Sequence, residues 1–250
     1  MNSPVVEVRG LVKRFRNGVI AINGLDLEVH PGQILGLAGP NGSGKSVTIK
    51  TLIGLIRPTE GDVRLFGEKV RSGAQVLGRV GVLVDGPGFI PHLSGRVNLL
   101  LAASTCGRKV SASDLDDAMD FVAIGKMIDH PFKTYSHGMR YRLALARALL
   151  GSPEVLVLDE AATGLDPVQA MAVRERVARA AANGAAVVYA AHQLYEVEQI
   201  CSHVVIMQNG RQVISGSMDN VVPPGGTTDL EQVYIEAVNG SRIAGGLSAG

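Results

Sequence analysis

Two stretches near the start of the chain, "VVEVRGLVKRF" and "LDLEVH", alternate apolar and polar residues closely enough to predict strands of an antiparallel sheet. "QILGLAG" has a different texture. It is continuously apolar, as a parallel strand buried on both faces must be. A glycine-rich loop follows, and then "KSVTIKTLIGLI" places Val47, Ile49, Leu52, Ile53 and Ile56 at helical spacing, with Arg57-Pro58 as the expected stop. "DVRLFG" and "VGVLVD" read as short strands. From about residue 86 to residue 151 the pattern turns helical, in "SGRVNLLLAAST", "SASDLDDAMDFVAIG" and "SHGMRYRLALARALL". An α/β rhythm then returns: strand "EVLVLDE", a helix from Asp166-Pro167, strand "AAVVYAAH", helix "LYEVEQIC" and strand "HVVIMQNG". "VVPPGG" reads as a loop, "DLEQVYIEAVNG" as a short helix, and the Gly/Ser-rich end as a flexible tail. The expected architecture is a parallel α/β core with an antiparallel β subdomain and an inserted α-helical subdomain. Residues 1–218 form the main domain, with the insertion at about 86–151, and residues 219–250 form a C-terminal loop, short helix and tail.

Composition narrows this picture. A chain of 250 residues can bury a substantial core, and its net charge of +1 with no Trp argues against a basic, aromatic-lined nucleic-acid groove. Cys106 and Cys201 match no metal-ligand spacing and read as reduced core thiols. No secretory signal is expected in "MNSPVVEVRG", which carries Glu7 where an apolar core would lie. No uncharged apolar run approaches the ~20 residues of a spanning helix, so a soluble chain is expected.

The chemistry concentrates in "GPNGSGKS". Gly39, Gly44, Lys45 and Ser46 fill the pattern G-x-x-x-x-G-K-S/T of a phosphate-binding loop, which makes the expected core that of a P-loop NTPase. Gly39, Pro40, Asn41, Gly42, Ser43, Gly44, Lys45, Ser46 and Val47 are the candidate nucleotide contacts. Glycines let backbone N–H groups face phosphate oxygens, and the helix beginning there adds its positive end. Lys45 can reach the β- and γ-phosphates, and Ser46 can ligate Mg²⁺. Hydrolysis needs a metal-anchoring carboxylate and a group that orients water. "VLVLDE" offers both at the C-terminal end of a buried strand, with Asp159 to support Mg²⁺ and Glu160 to polarise water.

The ordered set of residues 39–46, "YSHGM", "VLVLDE", "GLDP" and His192 resembles the nucleotide-binding subunit of an ABC transporter, over about residues 5–216. Its texture in "GPGFIPHLSGRVNLL" and "AAHQLYEVEQICSHVVIMQNG" looks most like bacterial ABC-2 type exporters of drugs, antibiotics or lipids. The resemblance implies an ATPase using ATP and Mg²⁺, working as a homodimer or beside a related subunit, head to tail, with two shared sites. It implies that Ser136 and Gly138, at the start of a helix that Ser136 would cap, face the γ-phosphate held by the other copy. It makes His192 a γ-phosphate contact and Asp166 an interface residue, although before Pro167 a plain helix cap needs no function. Phe15 matches the adenine-stacking aromatic approximately, and a core phenylalanine is the alternative. A polytopic membrane permease would dock near Phe89, Ile90 and Leu93, unless these loop apolars simply fold inward, and the subunit would sit on the cytoplasmic face of the membrane. No nucleic-acid partner is expected.

Two departures stand out. Where the family has a Gln that touches Mg²⁺ and water, this chain has Asp85, which can still bind Mg²⁺ but is shorter and adds charge. It reads either as a metal and catalytic residue or as a strand-end surface residue. Tyr135, His137 and Met139 replace the usual Leu, Gly and Gln of the signature. The expected function is energising export through a separate permease. A soluble ABC-type ATPase acting on ribosomes or DNA, or a non-hydrolysing ATP-binding regulator, are the alternatives.

Overall fold

The computed structural model describes residues 3–246 apart from 87, 163, 226 and 227, with side chains as far as residue 238. The first third of the chain holds β1 (Val6–Arg14), β2 (Ile20–Val29), β3 (Ile34–Ala38), α1 (Lys45–Leu52), β4 (Glu60–Leu65), β5 (Glu68–Lys69) and β6 (Val80–Leu83). Three helices follow, α2 (Gly95–Thr105), α3 (Ala112–Val122) and α4 (His137–Leu149). The remainder is β7 (Val155–Asp159), α5 (Pro167–Ala182), β8 (Ala186–Ala190), α6 (Leu194–Ile200), β9 (His203–Gln208), β10 (Arg211–Ser217), α7 (Met218–Val221) and α8 (Leu230–Gly246).

The strands make two sheets, an antiparallel one in the order β2-β1-β4-β5 and a second in the order β10-β9-β3-β8-β7-β6. In the second, β3 and β6 to β9 run parallel and only the edge strand β10 is antiparallel. Strand alternation explains how the parallel sheet is covered on both faces. Leu35, Leu37, Val155, Val157 and Val188 face one core with α1 and the antiparallel sheet. Leu156, Leu158, Val187, Tyr189 and Ile206 face the other with α4, α5 and α6. The helical insertion has a core of its own around Leu99, Val122, Phe132, Tyr135 and Leu143. This is the α/β P-loop NTPase architecture expected from the pattern.

Three local differences have physical reasons. The first helix ends at Leu52 rather than running to Ile56, because Gly54 adopts a left-handed φ of 74° and Leu55 and Ile56 turn their N–H groups back to Lys50 O. The edge strand β10 was not expected, since only scattered apolar residues mark it. Its real signal is Asn209-Gly210, both at positive φ (49° and 75°), a two-residue hairpin turn after β9. Helix α8 continues through Ser241 to Gly246, where composition suggested a tail, since a nucleated helix propagates through weak formers. Residues 247–250 of the expected tail lie outside the described residues.

Candidate functional site

The C-terminal ends of β3, β7 and β8 lie side by side, and the turns that leave them carry the candidate chemistry. From β3 the chain enters the glycine loop. Gly39 has φ 138° and a Cβ there would stand 2.1 Å from Met207 O; Gly44 has φ 110° and its Cβ would stand 2.4 Å from Ala21 O. Backbone from two neighbouring strands thus leaves no room for a side chain at either position. Pro40, Asn41 and Gly42 form the exposed tip, while Ser43 is buried with an Oγ that has no hydrogen-bond partner among the described residues. Val47 packs inward and anchors α1 to the core.

Lys45 is buried at the start of α1, and its Nζ donates to Gly39 O (2.6 Å) and Pro40 O (3.1 Å). Burial pulls its pKa below the ordinary lysine value, against the opposing charges of Glu160 and Asp159. Asp159 ends β7 with Oδ1 buried and without a partner among the described residues. Burial raises its pKa and the Ser46 hydroxyl lowers it, while the charges of Glu160 and Asp85 raise it further against Lys45. An ammonium and a carboxylate, each partly stripped of water, therefore face a loop with an orphaned hydroxyl. Phosphate would satisfy Ser43 and Lys45, and a hard divalent cation would satisfy Asp159 with Ser46.

Glu160 does not continue the strand alternation. It takes a left-handed φ of 53°, a strained state for a side-chain-bearing residue, with its N–H bonded to Ala190 O at 2.9 Å. That turn brings Glu160 Oε1 to 3.5 Å from Nδ1 of His192, two residues beyond β8. The structure thus joins Glu160 to His192, a pairing that spacing alone could not show. Asp85 is also left-handed (φ 55°) and lies 2.8 Å from Lys50 Nζ. Lys50 was missed in the sequence, since nothing in the motif marks it; it rides on the phosphate-loop helix itself.

Ser136 caps α4 by accepting from Met139 N at 3.3 Å and is exposed. Among the described residues no hydrogen bond or ion pair joins it to the glycine loop of its own chain. Gly138 is buried, and a Cβ there would lie 1.9 Å from Gln169 Oε1. Gln169 N in turn donates to Asp166 Oδ1 at 2.9 Å, where Asp166 caps α5. Gly138 and Asp166 therefore meet through Gln169, a second residue without a sequence signal. Tyr135 is buried, its Oη accepting from Gly95 N and donating to Met127 O, so this departure from the signature serves packing.

Phe15 stands in the β1–β2 turn, 38% exposed with Lys13 Nζ 5.2 Å from its ring centre, and so is not a core phenylalanine. Phe89 requires a correction. Its ring packs edge-on to Phe132 at 5.0 Å and under the Arg147 guanidinium at 4.7 Å, half-buried between two cores. Leu93 is half-buried as well. The outward apolar side chains here are Ile90, 41% exposed, and Val97, Leu100 and Leu101 of α2. Among the described residues no group of three or more His, Cys, Asp or Glu is placed to hold a metal. Mg²⁺ needs no such group where phosphate oxygens and a hydroxyl complete its shell.

A family profile described as ABC transporter matches residues 22–163. The bacitracin transport ATP-binding protein BcrA of Enterococcus faecalis is 36% identical over 211 residues, 84% of this chain and 68% of that protein. The Nod factor export ATP-binding protein I of Burkholderia lata is 34% identical over 232 residues, 92% of this chain and 76% of that protein. A solved structure described as an ATP-binding subunit of an ABC transporter superposes with a TM-score of 0.84 at 26% identity, covering 94% of this chain and 99% of that one.

Proposed function

We propose an export ATPase on one premise: this chain belongs to the ABC transporter family and is an ATP-binding subunit that hydrolyses ATP. Its cargo is drug-like, antibiotic or lipid, and a separate membrane permease carries it. The names of two relatives, in bacitracin transport and Nod factor export, support that cargo class. No helix among the described residues is long and apolar enough to cross a membrane. The outward apolar face of α2, with Ile90 beside it, is where the permease docks and holds the subunit at the cytoplasmic side. Residues 1–218 are the ATPase unit, with the helical segment at about 86–151 inserted in it, and residues 219–250 are a C-terminal segment in which Leu230 is buried in the core.

In this reading the glycine loop wraps the phosphates with its N–H groups, and Lys45 exchanges its carbonyl partners for β- and γ-oxygens. Ser46 and Asp159 would hold Mg²⁺, which when bound neutralises charge on the β- and γ-phosphates. Glu160 takes a proton from the attacking water, and His192, beside it, contacts the terminal phosphate. Phe15 offers its exposed ring to adenine. Ser136 and Gly138 bring the capped end of α4 to the γ-phosphate held by a second copy, and Asp166 couples the two sites. Loss of the γ-phosphate removes the bridge between copies, which is the differential contact a two-state motion requires. Asp85, now paired with Lys50, would be a further carboxylate able to hold Mg²⁺.

The observation that carries this reading is the meeting of Glu160 and His192 beside the buried Lys45 and an Asp159 whose Oδ1 has no partner among the described residues. Glu160→Gln should lower kcat about 100-fold or more while ATP is still held. Gel filtration with ATP should then show accumulating dimer. Normal turnover in that variant would reject Glu160 as the water-orienting group.

A further inference from the structure

Across the turn that presents His192 lies a polar contact that the phosphate chemistry does not use. Tyr189 on β8 is fully buried, and Glu196 in the first turn of α6 is buried as well. Tyr189 Oη donates a hydrogen bond to Glu196 Oε1. The pair sits against an otherwise apolar cluster that includes Leu156, Leu158 and Val197. Burying a hydroxyl and a carboxylate there is unfavourable where two apolar side chains would fill the space. Their use must therefore lie in what the bond holds.

The bond spans seven residues with His192 between its ends. On the strand side the backbone is already fixed. Ala190 O accepts from Glu160 N (2.9 Å) and Ala191 N donates to Leu37 O (3.2 Å), so β8 is tied to both the Glu160 turn and the phosphate-loop strand. On the helix side Gln193, the residue that opens α6, makes no side-chain cap. Burial first, and the Glu196 charge second, push the Tyr189 phenol up, so it keeps its proton and remains a donor.

We propose that the Tyr189–Glu196 hydrogen bond positions His192, by locking α6 to β8 so that the imidazole stays 3.5 Å from Glu160 Oε1. Both are positioning residues; neither touches nucleotide. The proposal rests on the reading of His192 as the contact to the terminal phosphate, and its test separates the two.

Steady-state ATPase is measured on the full chain, per ATP-binding-competent molecule, for Tyr189→Phe, Glu196→Gln and His192→Ala. Tyr189→Phe keeps the ring and loses the donor, and should lower kcat about tenfold with KM for ATP unchanged within about twofold. Glu196→Gln retains an acceptor oxygen and should keep kcat within about twofold of the native chain. His192→Ala should fall at least as far as Tyr189→Phe. Native kcat in Tyr189→Phe beside a crippled His192→Ala overturns the positioning role and leaves the His192 reading standing, and so does a lowered melting temperature with unchanged kcat. An equal loss in Glu196→Gln and Tyr189→Phe also overturns it, since charge rather than the bond would then matter. Normal turnover in His192→Ala removes the His192 reading and this proposal together.

Discussion

Asp159 is a carboxylate with one oxygen buried and without a partner among the described residues, its pKa raised chiefly by burial. Between its ordinary and its raised value the folded chain binds more protons than the unfolded one. Stability without ligand therefore falls as pH rises through that window and returns on acidification. Asp159→Asn should raise the ligand-free melting temperature at neutral pH by roughly 2–4 °C, equivalent to about 1 kcal/mol for a half-buried group. The gain should shrink as pH drops toward the ordinary carboxylate range, and ATPase should be lost. Melting curves across that range check it, and an unchanged or lower melting temperature at neutral pH would deny the strain. At this scale the glycine loop was legible, because its backbone needs Gly39 and Gly44 and the pattern names them. Lys50 and Gln169 were not. Their roles come from tertiary neighbours, Asp85 and Gly138, far away in sequence.

Among the elements, helix starts could be read, and so could the ends of α2, α4 and α6 to within about a residue, but the end of α1 could not. Ser136 and Asp166 cap α4 and α5 where the pattern placed them, since a capping side chain is a local event. The end of α1 and the strand β10 depend on turns at Gly54 and Asn209-Gly210 that apolar periodicity does not register. The same distinction governs the proposed docking face. Loop apolars at Phe89, Ile90 and Leu93 could be read either as folded inward or as outward, and the aromatic stack at Phe132 draws Phe89 inward. Leu100 and Leu101 on α2 are 49% and 43% exposed and contribute little to the core. Exchange of both for Asp should abolish copurification with the permease and leave the melting temperature within about 2 °C. Phe89→Asp should instead destabilise the chain by about 2 kcal/mol or more, by placing a charge between two cores. Retained copurification in the Leu100 and Leu101 double variant would move the docking face elsewhere.

For the whole molecule the consequential fact is a separation. Lys45 and the glycine loop belong to the parallel sheet, whereas Ser136 caps a helix of the insertion and shares no hydrogen bond with that loop among the described residues. In the proposed reading a single chain presents two half-sites of opposite kind, one that wraps phosphate and one that offers a helix N-terminus to an anion. Half-sites of this kind complete each other in a head-to-tail pair with two-fold symmetry. The arrangement has a consequence that no single-chain site shares. Chains carrying Lys45→Ala and chains carrying Ser136→Ala should each be nearly inactive, yet a mixture should recover ATPase. In a mixed dimer one site combines both altered residues, and the other combines the intact Lys45 of one copy with the intact Ser136 of its partner. Random pairing makes half the dimers mixed with one good site each, so recovery should approach about a quarter of the native rate. It should also depend on total protein concentration, as association requires. A mixture no more active than the sum of its parts would mean that each chain completes the terminal-phosphate site by itself.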